Sequence, residues 1–348
     1  MAYTTINKPL DYFNTKLYTG NGSTNAITGV GFQPDWVWLK DRDNANSHKL
    51  YDGVRGTTKF ISSENTSAEG TQSNGLTSFD SDGFTLGSYG GTNGSGGGSG
   101  PNFASWNWLG ANGTSANTDG SISSTVSANT TSGFSIVSYT GTGSAGTIGH
   151  GLNAVPKMII SKSLANGEHW GTYHASLGNG KVIALNSTDG SITNSAYWNN
   201  TSPTTSVWSV GTSPLTNHPH ASIAYCFAEK KGFSKFGSYT GNGSTDGTFV
   251  YTGFKPSFIL SKRTDVSGQN WTIWDNKRSS SNFNPTDKIL HPNVSNTENT
   301  ADDTDFLSNG FKLRATALGM NASGSSYIYM AFAEVPLVGS NGVTAKAR

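Results

Sequence analysis

Apolar residues along this chain come in short runs, cut every few positions by clusters of Gly, Asn, Ser and Asp. No stretch sustains the 3.6-residue period of an amphipathic helix, and this pattern predicts an all-β chain of sandwich or barrel type. Two kinds of strand stand out. "DWVWLK" and "SFILSK" are apolar at every second and every intervening position, as a central strand buried on both faces requires, whereas "DGFTLGSY" and "NGFKLRAT" alternate and predict half-exposed strands.

The runs repeat. "YTGNGST" at 18–24 recurs at 239–245, with a variant "YTGTGSA" at 139–145. Glycine and asparagine accept the positive φ of a tight reversal, so each copy predicts a turn. After each turn a proline leads a strand that ends in lysine six residues on: Pro34 to Lys40, Pro156 to Lys162 and Pro256 to Lys262. Each unit closes on an aromatic strand around Trp108, Phe227 and Phe332, which lie 74, 71 and 76 residues after the proline. Insertions are therefore confined to the middle of each unit. The spacing predicts three tandem homologous β-sandwich domains: residues 1–112 with an N-terminal arm, 113–231 with an N-terminal linker, and 232–348 with a C-terminal tail. Proline at the head of the strand sits where no ladder hydrogen bond is yet needed. The stretch 110–133 reads as a flexible or extended connector, and "FAEKKGFSKFG" as a tight junction. The glycine-rich segment 87–102 reads as a long surface loop, with a backbone surface against another subunit as its alternative.

Composition narrows the function. Gly and Pro together fill 55 of 348 positions, and 9 Trp, 13 Tyr and 17 Phe supply ample apolar area for a folded, loop-rich protein. With 23 basic against 22 acidic side chains and no dense basic cluster, nucleic acid is not an expected partner. Cys226, the single cysteine, rules out an intrachain disulfide framework and reads as a buried, inert thiol. The first residues lack the basic and apolar regions of a signal peptide, and no stretch approaches 18 apolar residues, so membrane insertion is not expected and synthesis in a cytoplasm is.

Catalytic signatures are missing: GxSxG, HExxH, GxxxxGK[ST], paired cysteines and a strand-borne carboxylate pair are all absent, so no enzyme activity, cofactor or metal is expected. Asp80 and Asp82, and Asp302, Asp303 and Asp305, precede strands and read as turn caps, with calcium loops as the alternative. His218 and His220 read as a solvated pair. Trp36 and Trp38 match Met158 and Ile160, and Phe258 and Leu260, of the other units and read as core, as do Trp106 and Trp108. In the strand after the lysine, "HKLYD", "HWGTYH" and "NWTIWD" pair aromatic rings with a polar residue. Amphipathic rings of this kind stack on sugars, making Trp170, Tyr173, Trp271 and Trp274 the candidate carbohydrate-binding residues; covering a sandwich edge or a domain junction is their bland alternative.

The phrases "MAYTTINKPLDYFNTKLYTGNGST", "GFQPDWVWLKDR", "LYDGVRG", "SFDSDGFTLG", "GHGLNAVPKMIISK", "GSYTGNGSTDGTFVYTGFKPSFILSKR" and "YIYMAFAEVP" together resemble a family of virion structural proteins of marine tailed bacteriophages. The resemblance runs from Met1 to nearly Arg348. It implies jelly-roll, concanavalin A-like lectin-type sandwiches in a non-enzymatic, tail-fibre-like protein that is assembled in the host bacterial cytoplasm and displayed on the virion surface. Host attachment with glycan binding follows as its role, with capsid decoration (a head fibre or cement protein) as the alternative and a soluble carbohydrate-binding module as a further one. The expected partners are other tail or capsid proteins, further copies of the chain (a homo-oligomer such as a trimer) and a host surface glycan.

Overall fold

A computed structural model describes residues 4–96, 100–165, 167–279 and 284–338. The glycine-rich residues 97–99 and the tail 339–348 lie outside them. The chain is predominantly β, built from antiparallel sheets, as the apolar patterning predicts.

One strand order recurs along the sequence. Phe13–Thr19, Asn102–Trp108, Trp36–Asp41 and Lys49–Asp52 are neighbours in the first main sheet. Phe134–Thr140, Ala221–Ala228, Pro156–Ser163 and Gly171–His174 follow the same order, as do Ser234–Thr240, Ser326–Pro336, Phe254–Arg263 and Trp271–Asp275. A smaller sheet covers one face of each. In it a buried aliphatic residue lies opposite a buried aromatic one: Ile27 opposite Phe84, Ile148 opposite Trp208, Val250 opposite Phe311.

The doubly apolar strands have a use for both faces. Val37 and Leu39 point into the layer under the small sheet, while Trp36 and Trp38 point the other way. Ile159 is likewise divided from Met158 and Ile160, and Ile259 from Phe258 and Leu260. These second faces meet in one common interior, where Trp36 stacks on Tyr225 at 4.1 Å, Phe227 meets Phe332 at 6.1 Å, and Phe332 stacks on Phe13 at 4.9 Å. The three repeats therefore do not each enclose a separate aromatic interior: Trp36, Trp38, Trp106, Trp108, Trp170 and Trp271 are pooled between the main sheets, while Trp198, Trp208 and Trp274 lie in the layers under the small sheets. Trp36, Trp38, Trp106 and Trp108 are core residues, as expected. The N-terminal arm contributes Ile6 to the same interior.

Two further expectations change. Residues 110–133 are no loose connector, since Ser115–Asn117 and Ser124–Asn129 extend the second main sheet beyond Phe134–Thr140. Burial of Ile122 and Val126, together with bonds from Gly110 N–H (2.7 Å) and Ser127 Oγ (3.4 Å) to Asp35, pins this segment down. Pro256 is not at a strand head but inside Phe254–Arg263, where a register shift on either side removes the need for its missing N–H.

The thrice-written turn is held by a residue outside it. Asn93, Asn217 and Asn321 are each fully buried at the end of a turn before the last strand. Their Oδ1 atoms accept from the backbone N–H of Asn21 (3.0 Å), Thr142 (2.9 Å) and Asn242 (2.9 Å). Their Nδ2 atoms donate to the carbonyls of Ser23, Ser144 and Ser244. The motif tyrosines Tyr18, Tyr139 and Tyr239 donate to the carbonyls of Thr92, Thr216 and Met320, one residue before each asparagine. Gly22, Gly143 and Gly243 take φ of 67°, 70° and 67°, while a Cβ at Gly20, Gly141 or Gly241 would lie within 2.3 Å of a backbone oxygen. The tyrosine and first glycine of Tyr-x-Gly-x-Gly are therefore specified by contacts, and the second glycine by its positive φ.

The shared interior makes a stability prediction. Trp36→Ala should lower unfolding free energy by about 3–5 kcal/mol. Denaturant unfolding followed by fluorescence and far-UV circular dichroism should still show one coincident transition, because all three sheets lose the same core. Separate transitions, only one of them shifted, would contradict it.

Candidate functional site

Three junctions join the main sheets in a ring, and their chemistry follows from the ends of equivalent strands. At the end of Lys49–Asp52, the Asp52 carboxylate accepts from Tyr225 Oη of the second sheet at 2.8 Å. At the end of Trp271–Asp275, the Asp275 carboxylate accepts from Trp106 Nε1 of the first sheet at 2.9 Å. At the end of Gly171–His174, His174 Nε2 bonds the Tyr329 carbonyl of the third sheet at 3.1 Å. First holds second, second holds third and third holds first. A further set runs in the opposite sense: Trp170 Nε1 donates to the Ser62 carbonyl, Trp271 Nε1 to the Ala184 carbonyl, and His48 Nε2 bonds the His291 carbonyl.

The lysines that end the proline-led strands also serve the junctions. Lys40, Lys162 and Lys262 are at most 1% exposed, and each ammonium donates to the carbonyl of the next residue. Lys162 and Lys262 also reach the Thr66 and Thr188 carbonyls of the neighbouring segment, both at 3.3 Å. Burial pulls all three down from 10.5 to about 8.

Two junctions contain a buried ion network. Asp52 pairs with Arg55 at 2.6 Å, and Arg55 continues to Glu69 at 3.4 Å, where Lys59 stands 3.6 Å away. Asp275 pairs with Arg278, which reaches Glu298 at 3.0 Å, and Glu298 is also clasped by Arg42 at 2.7 and 2.9 Å. The backbone registers agree, because Glu69 N–H donates to the Leu164 carbonyl and Glu298 N–H to the Arg42 carbonyl. At the third junction Ser191 N–H donates to the Thr264 carbonyl, so Ser191 stands where the glutamates stand, with His174 and Leu177 in place of the aspartate and arginine. Without the network this junction is open, and a cleft of about 580 Å³ lies there, lined among others by Leu177, Lys181, Ser191, Ser238, Thr264 and Asp265.

The sequence-derived sugar site does not survive. Trp170, Tyr173, Trp271 and Trp274 are 0%, 4%, 1% and 1% exposed, so no ring face is open to a saccharide. Trp170 and Trp271 span junctions through their indole N–H groups, and Tyr173 and Trp274 fill the layers under the small sheets. The bland alternative, covering a junction, is what the first two do. Asp82 caps the turn by accepting from Gly29 and Gly31 N–H at 2.9 and 2.7 Å, Asp80 accepts from Thr85 Oγ1, and Asp305 pairs with Arg314. The Asp302 side chain lies outside those described. Among the described residues no group of three or more His, Cys, Asp or Glu side chains is placed to hold a metal ion. His218 and His220 stack on each other at 4.6 Å near the surface, and Cys226 is buried, which pushes its thiol up. Sequence reasoning missed Glu69, Glu298 and Ser191, because they are related only through strand register and not by a local motif.

The ion network is predicted to be costly to break and cheap to replace. Arg278→Leu should destabilise by about 3–5 kcal/mol by leaving the Asp275 carboxylate buried and unpaired. The double change Asp275→His with Arg278→Leu, which installs the third junction's pair, should recover at least half of that in chemical denaturation.

A pH dependence follows from the lysines. Between about 8 and 10.5 the unfolded chain binds more protons than the folded one, so stability rises with pH across that interval. Above 10.0 the buried tyrosines Tyr139 and Tyr239, raised by burial, oppose the rise. On the acid side, burial lowers His174 from 6.5 to about 4, and its contribution is lost as pH falls between those values. Thermal melts from pH 4 to 10 should trace both slopes. A flat or falling Tm from pH 8 to 10 would contradict the lysine account.

No curated protein and no solved structure matches the chain. A family model does match, over residues 8–336, which include all three main sheets and the junctions between them. The chain belongs to the family described as domain of unknown function DUF7483.

Proposed function

We propose that this chain is a non-enzymatic structural protein of a bacteriophage particle, displayed at the virion surface in a tail-fibre-like, host-attachment role. Its three homologous β-sandwich domains, read as concanavalin A-like jelly rolls, form one body. The observation that carries the reading is how the reactive side chains are used. Asp52, Arg55, Asp275, Arg278, His48 and His174 would be first choices for acid–base work, yet each is buried and bonded across or within a junction. A catalytic group needs contact with substrate and a tuned proton affinity, whereas these groups lock sheets together. Rigid closure without disulfides suits a protein that folds in a reducing cytoplasm and works outside it. The virion assignment itself rests on the sequence resemblance.

Capsid decoration is the second reading, favoured by the edge strand Phe249–Tyr251, whose rings are 45% and 54% exposed. An uncovered strand edge with two aromatic rings suits attachment to another protein subunit. The three main sheets are already joined to one another within one chain, so association with further copies or other virion proteins would use such outer surfaces.

Gold-labelled antibody against the purified chain should decorate the tails of intact particles. Label on heads would select the decoration reading, and purified particles free of the protein would overturn both.

A further inference from the structure

The ring is built from three quasi-equivalent junctions, and one of them lacks its acid. Lys59, Lys181 and Lys288 occupy the same register position, opposite Thr71, Thr193 and Thr300. Two residues before those threonines stand Glu69, Ser191 and Glu298. At the first junction the Lys59 ammonium lies 3.6 Å from Glu69; at the other closed junction Glu298 is taken by Arg42 and Arg278 and Lys288 donates to Thr300 Oγ1; at the open junction Lys181 has neither an acid at that position nor an ion-pair partner among the described residues. Ser191 is too short to supply one, and Leu177 replaces the arginine that would have filled the space.

The resulting cleft has a particular chemistry. Its lining includes the hydroxylic residues Ser176, Ser191, Ser238 and Thr240, the Ser191 hydroxyl also donating to the Thr264 carbonyl at 3.1 Å, and Lys181. Asp265 also lines it, but Arg263 donates to both of its oxygens, at 2.8 and 3.4 Å, and matches its charge. An adjoining groove shares Ser191, Thr264 and Asp265 with the cleft and adds the exposed aliphatic side chains Ile192 and Val266, together with Asp189, whose carboxylate accepts from Ser187 Oγ at 2.6 Å. At about 580 Å³ the cleft falls within the roughly 300–1,000 Å³ of small-molecule sites.

We propose that this cleft binds an acidic saccharide, a uronic acid residue or chain, whose carboxylate stands beside Lys181 as Glu69 stands beside Lys59. The sugar hydroxyls bond the serine and threonine hydroxyls of the walls, and its C–H faces lie on Leu177 and the Ile192–Val266 ledge. A carboxylate answers the unmatched ammonium through a charge-assisted bond, and a polyol answers the hydroxyls, so both features belong to one ligand. Relative to the reading above, the inference names the glycan class that host attachment would use, and its biological role rests on that reading. The binding itself does not.

Calorimetric titration of the full chain with D-glucuronate and with a short oligouronide tests it, with D-glucose and acetate supplying the hydroxyls and the carboxylate separately. Saturable uronide binding is expected, at least about tenfold tighter than either control, the difference that one charge-assisted contact makes. Lys181→Gln should weaken it at least about tenfold, and Ser191→Glu, which restores the internal counter-ion, should do the same. Lys59→Gln at the closed junction should leave it unchanged, and thermal melts establish that each variant is folded. Absence of saturable uronide binding, equal binding of glucose, or binding indifferent to both Lys181→Gln and Ser191→Glu would each overturn the proposal. None of these results bears on where the protein sits on a particle, which antibody labelling reads separately.

Discussion

A strand that is apolar on both faces needs two partners, and this requirement organises the molecule. Trp36–Asp41, Pro156–Ser163 and Phe254–Arg263 each bury alternate residues under a small sheet and the intervening ones in an interior shared with the other two sheets. A single sandwich would leave Trp36, Trp38, Met158, Ile160, Phe258 and Leu260 against water. Removing that apolar area from solvent is the dominant favourable term, and only mutual packing of all three sheets achieves it.

Packing alone does not fix how three similar sheets face each other, since aromatic surfaces slide. Directional bonds do. Each junction repeats the same reach from a strand end to the neighbouring sheet, and the groups that make it are buried, where an unmade hydrogen bond is costly. Buried ion networks of this kind commonly add little net energy over an apolar replacement, so the part of the Asp–Arg–Glu networks is to fill space and fix register; the third junction has His174 and Leu177 in their place. Where that network is absent, the space remains as a cleft. The departure from quasi-symmetry, and not the symmetry, is what leaves room for a ligand.

The candidate site also shows why aromatic content misleads. Trp170 and Trp271 have the ring chemistry of sugar platforms, yet their place in the register turns them inward, where their indole N–H groups tie neighbouring sheets. The opening is lined largely by short hydroxylic residues, with one lysine among them, types so common in this chain that composition gives them no emphasis. Their significance appears only against the equivalent positions of the other two junctions.

The sequence alone determined the β class, the turns, the two kinds of strand and the core tryptophans, because turn chemistry and apolar alternation are local properties that a short window of residues carries in full. Its three-fold repetition of Tyr-x-Gly-x-Gly was legible too, although the asparagines that hold each turn were not, since Asn93, Asn217 and Asn321 lie at no constant distance from it. Only the tertiary structure decided that the doubly apolar strands share one interior, that residues 110–133 join a sheet, and that Lys181 lacks the acid its counterpart has. Those outcomes depend on which faces meet across hundreds of positions, and burial, register and charge matching between distant strands are set by packing that no local pattern encodes.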